Sequence, residues 1–292
     1  MRPQEKQLRQ GDDAVKRVLV RGAEISYAER GAGDPILFVH GSLSDFRTWN
    51  NQVRFFSQFG RAIACSLRYH YPNTPPADGG DYSPVQHAED LAQLIRLLGE
   101  EAAHVVASSY GAYSCLFLAL KHPQRVRTFV LGEPPVLPLL KCTAEGRSVL
   151  ATFMAEAWEP SKAAIEQGDM EQGVRLFIDG VMGCGQYDKL PAAARASMMA
   201  NAAAKRAEVT APTATHFPDF TCPDGRRITV QSLLLTGELS ARMFHLITDQ
   251  LEERLAGSQR AVIPGASHAM HSSNPHIYNQ VVSDFLRKHG RR

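Results

Sequence analysis

The 292-residue chain predicts an α/β fold: a mostly parallel, doubly wound sheet with an inserted helical segment. Three observations predict it. The runs "DPILFVHG", "AHVVAS" and "RVRTFVLG" are continuously apolar and flanked by turn residues, as expected of strands buried on both faces. Helix-period segments alternate with these runs at the spacing of strand–helix–strand units. The stretch 135–227 then turns Ala-rich and helical, with no strand-like run, before strands resume at "ITVQSLLLTG".

In chain order, residues 1–14 are polar and read as a loose arm. "RVLVRGAEISYAERG" reads as two short strands joined by a Gly turn. "DPILFVHG" and "RAIACSLR" are the next strands. "SPVQHAEDLAQLIRLLGEE" is a helix: Ser83 caps it, Pro84 fits its first position, Val85, Ala88, Leu91, Leu94, Ile95 and Leu98 share a face, and Gly99 ends it. "AHVVAS" is a strand, "YGAYSCLFLALKHP" a buried helix stopped by Pro123, and "RVRTFVLG" a strand. After the insertion come strand "ITVQSLLLTG", helix "SARMFHLITDQLEERLAG", strand "QRAVIPG" and a closing amphipathic helix whose C-terminal end is basic. The expected organisation is a sheet domain built from 15–134 and 228–292, with 135–227 as a helical cap.

A net charge of +2 is too small for a nucleic-acid footprint, and no apolar stretch approaches the ~20 residues of a membrane helix. The first residues contain no apolar signal core, so a cytoplasmic protein is expected. Cys65, Cys115, Cys142, Cys184 and Cys222 are odd in number and include no C-x-x-C pair, which suits reduced thiols acting as small apolar fillers.

"HVVASSYGAY", 104–113, carries the chemistry. A strand that enters a helix through a very tight turn strains the central residue, and the positions two before and two after it must be small. Centred on Ser109 these are Ala107 and Gly111; centred on Ser108 they are Val106 and Tyr110, both bulky. Ser109 is therefore the candidate nucleophile, against the plainer reading of a helix cap. Serine needs a base, and "VIPGASHAMH" offers His268 in a loop after the last strand. His271 is the rival, better read as a surface or helix-start residue.

"FVHGS", "VASSYGAYSCLFLALKHPQRV" and "LLLTGE…IPGASHAM" together resemble the α/β-hydrolase fold superfamily over about residues 17 to 288. The resemblance implies a Ser–His–acid triad, an oxyanion hole, and no metal or organic cofactor. It places the oxyanion donors on the backbone N–H groups of Ser42 and Tyr110, with Gly41 allowing close approach of backbone to substrate and His40 ordering the loop. The family's usual acid position falls on Ser240 of Gly237-Glu238-Leu239-Ser240, which cannot hold the charge an imidazolium needs. Glu238 is one substitute. Glu133, in "FVLGEPP", is the preferred one, at a spacing similar to that in certain haloalkane dehalogenases and zearalenone-type lactonases. A carboxylate between an apolar strand and two prolines is also hard to explain as solvated surface.

Family members that open epoxides or displace halide use Asp as nucleophile, so Ser109 favours acyl transfer on a carboxylic ester or lactone. A C–C bond hydrolase or perhydrolase with the same nucleophile is a second reading, and a small-molecule receptor on the same scaffold a third. Met154 and Trp158, with Phe153, Phe177, Met182, Met198 and Met199, are candidate lining of an apolar substrate pocket, or simply cap core. Tyr69 and His70, in "SLRYHYPNTP", either contact substrate or pin the cap. The expected partner is a small-molecule ester or lactone, with no nucleic acid or membrane; a homodimer is compatible with the sequence.

Overall fold

The computed structural model describes residues 14–74 and 82–289; most of the expected N-terminal arm lies outside them. Eight strands form one sheet in the order β1-β2-β4-β3-β5-β6-β7-β8. They are β1 (Lys16–Val20), β2 (Ala23–Arg30), β3 (Pro35–Val39), β4 (Arg61–Cys65), β5 (Ala103–Ser108), β6 (Val126–Gly132), β7 (Gln231–Gly237) and β8 (Gln259–Ile263). β1 and β2 pair antiparallel, β2 joins β4 antiparallel, and every later pairing is parallel. The fold is thus the predicted α/β-hydrolase architecture, a mostly parallel sheet flanked by helices.

The central strands have no solvated face. On β3, Leu37 and Val39 join one apolar layer and Ile36 and Phe38 the other; on β5, Val105 and Ala107 face one side and Val106 the opposite; on β6, Phe129 and Leu131 oppose Val130. This period-2 split, with both halves apolar, explains the continuous runs in the sequence. Helices α1 (Asn50–Phe56), α2 (Pro84–Leu97) and α3 (Ser109–Lys121) accompany the first strands. Sequence reading missed α1, which brings Val53 and Phe56 onto the layer of Phe38. The Ser83 side chain caps α2 by accepting from the Gln86 N–H at 3.1 Å, and Gly99, at φ +83°, follows its end.

Between β6 and β7 the chain forms α4 (Ala144–Phe153), α5 (Glu159–Glu166), α6 (Met170–Met182), α7 (Gln186–Lys189), α8 (Ala192–Met199), α9 (Ala202–Thr210), α10 (Thr213–His216) and α11 (Cys222–Arg227). Then α12 (Arg242–Glu252) precedes β8, and α13 (Met270–Ser273) and α14 (Pro275–His289) close the chain. Asn201 ties the inserted helices to the loops after β3 and β4: its Oδ1 accepts from the Tyr71 N–H at 2.9 Å and its Nδ2 donates to Asp45 Oδ2 at 2.8 Å. Tyr110 and Tyr113 of α3 donate their hydroxyls to the carbonyls of His216 and Pro218.

Two expectations need correction. Cys142 and Cys184 are exposed rather than core fillers, because both lie at loop-like ends of inserted helices. His271 is a helix-start residue but not a surface one. The missed α1 and the turn before it cover it: Thr48 Oγ1 is 3.1 Å from its Nε2, Gln52 donates to its carbonyl at 3.0 Å, and the Trp49 ring lies 4.4 Å from its ring centroid.

Candidate active site

The loops after β3, β5, β6 and β8 carry the candidate residues at the carboxyl edge of the parallel strands, the usual place for a site in such sheets. β5 passes into α3 with no intervening residue, and Ser109, the first helical residue, has φ +53°. A non-glycine residue in this left-handed region is strained and persists only where its surroundings enforce it. Those surroundings are tight. A Cβ at Gly111 would stand 2.1 Å from the His40 carbonyl oxygen, and one at Gly41 would stand 2.6 Å from Ser109 Cβ. Both glycines are thus required by contact, whereas Ala107 buries its methyl in the core.

Glu133 directly follows β6, is 1% exposed and also has a positive φ, +48°. Its Oε2 lies 2.6 Å from His268 Nδ1, and its Oε1 accepts from the Gly237 N–H at 2.8 Å. Both carboxylate oxygens are therefore partnered, one by a backbone donor at the end of β7. The Phe244 ring of α12 stacks on the imidazole, centroids 4.2 Å apart and planes 19° apart. Bonding to the carboxylate puts the neutral ring's proton on Nδ1 and leaves Nε2 as the proton acceptor. Glu238 stands elsewhere: exposed, its Oε2 accepts from the Gly265 N–H at 2.7 Å.

Two cavities meet at Ser109 and Ser42. One, of about 380 Å³, is lined by Gly41, Arg47, Phe177, Met182, Met198 and His268, among others. The other is narrow, about 20 Å³ (room for about one water), and runs under the inserted helices past Tyr110, Phe153, Trp158, Glu208, His216 and Phe217. Tyr110 sits in the first turn of α3, where backbone N–H groups have no intrahelical acceptor, so its N–H is available beside Ser109.

Of the other candidates, Trp158 and Gly41 line these cavities, and Met154, Tyr69 and His70 line neither. Met154 lines a separate surface cavity with Leu150 and Phe217. His70 is fully buried, bridging the Ser44 carbonyl at 2.7 Å and the Tyr82 hydroxyl at 3.0 Å. His40 both donates and accepts: Nδ1 bonds the Gly41 carbonyl at 2.8 Å and Nε2 accepts from the Leu67 N–H at 2.9 Å. Burial pushes its pKa down to about 4, so it is neutral near pH 7 and orders the loop without carrying charge. Sequence reading missed Gly237 as the second partner of Glu133, since nothing in "LLLTGE" marks a backbone donor. It also missed Glu208, Lys205 and His216, which look like ordinary helix residues until α9 and α10 fold over α3.

A family model described as "Alpha/beta hydrolase family" matches residues 36–281. The chain belongs to the alpha/beta hydrolase family. Within it, the chain is 32% identical to an epoxide hydrolase of Caballeronia sordidicola, over 40% of this chain and 36% of that one. It is 24% identical to 2-(acetamidomethylene)succinate hydrolase of Mesorhizobium japonicum (strain LMG 29417 / CECT 9101 / MAFF 303099), over 93% and 94%. The enol-lactonase of Burkholderia xenovorans LB400 superposes with TM-score 0.73 at 18% identity, covering 93% of this chain and 100% of that structure, a likeness of fold. The chain spans about half the length, or less, of several curated relatives it matches: 45%, 36% and 52%. Among the described residues no helix is long and apolar enough to cross a membrane.

Proposed function

We propose that this hydrolase cleaves a carboxylic ester or lactone through an acyl-enzyme, with Ser109 as nucleophile, His268 as general base and Glu133 as the acid that orients it. The observation that carries the reading is the 2.6 Å contact between the buried Glu133 carboxylate and His268, beside a cavity that His268 shares with a strained Ser109. His268 Nε2 takes the Ser109 proton as Oγ attacks the carbonyl carbon. The oxyanion that forms is met by the N–H groups of Ser42 and Tyr110. As the tetrahedral intermediate collapses, the imidazolium returns the proton to the leaving alkoxide. Water, deprotonated by the same ring, then releases the acid. Glu133 faces the imidazolium across the 2.6 Å contact and stabilises its charge.

The leaving oxygen must reach His268, so the alkoxy group occupies the wide cavity that His268 lines. The acyl group points the other way, toward the narrow cavity beneath the inserted helices, which act as a cap; with room for about one water, that cavity favours a short acyl chain. An alkoxide leaves more readily than an amide nitrogen, which favours esters and lactones. A serine here supports acyl transfer over epoxide opening, the activity named for the Caballeronia relative. Pre-steady-state hydrolysis of a 4-nitrophenyl ester tests the proposal. A nitrophenolate burst, with the acyl mass found on Ser109 by peptide mapping, is expected. Turnover retained in Ser109→Ala contradicts it.

A further inference from the structure

Beyond the residues that perform the reaction, α9 places a charged pair in the protein interior against the narrow cavity. Lys205 and Glu208 are 0% and 1% exposed. Lys205 Nζ donates to Glu208 Oε1 at 2.8 Å and stands 3.2 Å from the Phe177 ring centroid, so the cation is held by the carboxylate and an aromatic face. Lys205 does not line the narrow cavity, whereas Glu208 does, with Ser109, Tyr110 and Trp158. The second carboxylate oxygen, Oε2, is buried with no hydrogen-bond partner among the described residues. Beside it the His216 ring is stacked between Tyr110, at 4.6 Å and 11°, and Trp158, at 5.1 Å and 13°. His216 Nε2 stands 3.6 Å from Oε1, too far for a hydrogen bond, and among the described residues neither ring nitrogen has a partner.

A buried carboxylate oxygen without a donor is costly, and natural interiors rarely tolerate one. The remaining lining is apolar and largely aromatic: Leu137, Phe153, Trp158, Phe177, Phe217 and Phe244. We propose that Glu208 is a recognition site for a neutral hydrogen-bond donor, a hydroxyl or N–H, carried at the end of a short acyl group seated beside Ser109. Lys205 fixes one oxygen, and the Tyr110–His216–Trp158 stack walls the site with flat faces, leaving space for a donor about the size of one water. That the donor lies on the acyl half rests on the serine-hydrolase reading; that the cavity prefers a donor does not.

The test compares 4-nitrophenyl glycolate with 4-nitrophenyl propanoate, in which a hydroxyl and a methyl exchange at the end of a short acyl chain. A hydrogen bond to a charged acceptor is expected to favour the hydroxylated ester about 10- to 100-fold in kcat/KM. The double variant Lys205→Met/Glu208→Leu removes both charges together and is expected to bring the ratio near one. A wild-type ratio near one, or a preference unchanged in a folded double variant, overturns the proposal. Calorimetry on Ser109→Ala with the two methyl esters decides the matter without turnover: about tenfold tighter binding of the hydroxylated ester is expected, and equal affinity overturns it. If neither nitrophenyl ester is hydrolysed but the binding preference persists, the hydrolytic assignment falls and the donor site stands.

Discussion

Glu133→Gln isolates the role of the acid at constant size. In the wild type one oxygen accepts from His268 Nδ1 at 2.6 Å and the other from the Gly237 N–H at 2.8 Å. Glutamine has one carbonyl oxygen for these two donors. If it faces Gly237, its amide N–H points at the imidazole and selects the tautomer with the proton on Nε2, which cannot accept from Ser109. If it faces His268, the amide nitrogen meets the Gly237 N–H. Either way the imidazolium loses its counter-charge. At 2.6 Å and an effective dielectric of about 20, that attraction is worth at most about 6 kcal/mol. Solvent relaxation reduces the loss to about 4–5.5 kcal/mol, or roughly 10³- to 10⁴-fold in kcat. Steady-state hydrolysis of a 4-nitrophenyl ester measures it, with thermal unfolding to verify the fold. Glu238 is exposed and its carboxylate accepts from the Gly265 N–H, away from His268, so Glu238→Gln is expected to change the rate less than about threefold. A folded Glu133→Gln enzyme keeping a tenth of wild-type activity, or a Glu238→Gln enzyme losing it, refutes the assignment.

Gly111→Ala would place a methyl carbon 2.1 Å from the His40 carbonyl oxygen, so α3 must move away from the loop after β3. A thermal melt is expected to show a loss of about 3 kcal/mol or failure to fold, and an unshifted Tm contradicts the tight contact. Stability is expected to fall with acid through the buried histidines. Burial pushes His40 and His271 down to about 4 and His87 down to about 3, while the unfolded chain protonates near 6.5. Between pH 6.5 and 4 the unfolded state therefore binds protons that the native state refuses. Each histidine removes up to about 1.4 kcal/mol per pH unit as pH drops, with no further loss from His40 and His271 below about 4. Urea midpoints from pH 7.5 to 4.5 measure it, and a flat profile contradicts it.

Much of this architecture is legible in the amino-acid order because the central strands are buried on both faces. Their runs are unambiguous, and the helices between them are long enough to show a period. The strand–turn–helix at residues 103–121 allowed Ser109 to be chosen over Ser108 on side-chain size alone, and Ser109 is the residue with φ +53°. Glu133 stood out because its neighbours are apolar or proline, leaving no solvent to explain a charge. The α1 helix was invisible since its seven residues span about two turns, with Asn50, Asn51, Gln52 and Arg54 diluting the apolar stripe. The Lys205–Glu208 pair has the spacing of an ordinary solvated ion pair on a helix surface. Only the packing of Phe177, Trp158 and Tyr110 over it makes it an interior feature. Tyr69 and His70 read as substrate contacts or cap pins because chain position suggests the rim of the site, and Met154 as pocket lining or cap core because of its residue type. In the structure Tyr69 and His70 are buried in the core, and Met154 lines a separate cavity with Leu137, Leu150 and Phe217.

The central claim is that the loops after β5, β6 and β8 make one serine hydroxyl nucleophilic. Labelling with a fluorophosphonate, followed by peptide mapping, tests it most directly. Modification of Ser109 alone, lost in a folded His268→Ala variant and strongly slowed in Glu133→Gln, is the predicted result. An unlabelled wild-type protein, or labelling of Ser109 that persists unchanged without the imidazole, would contradict it.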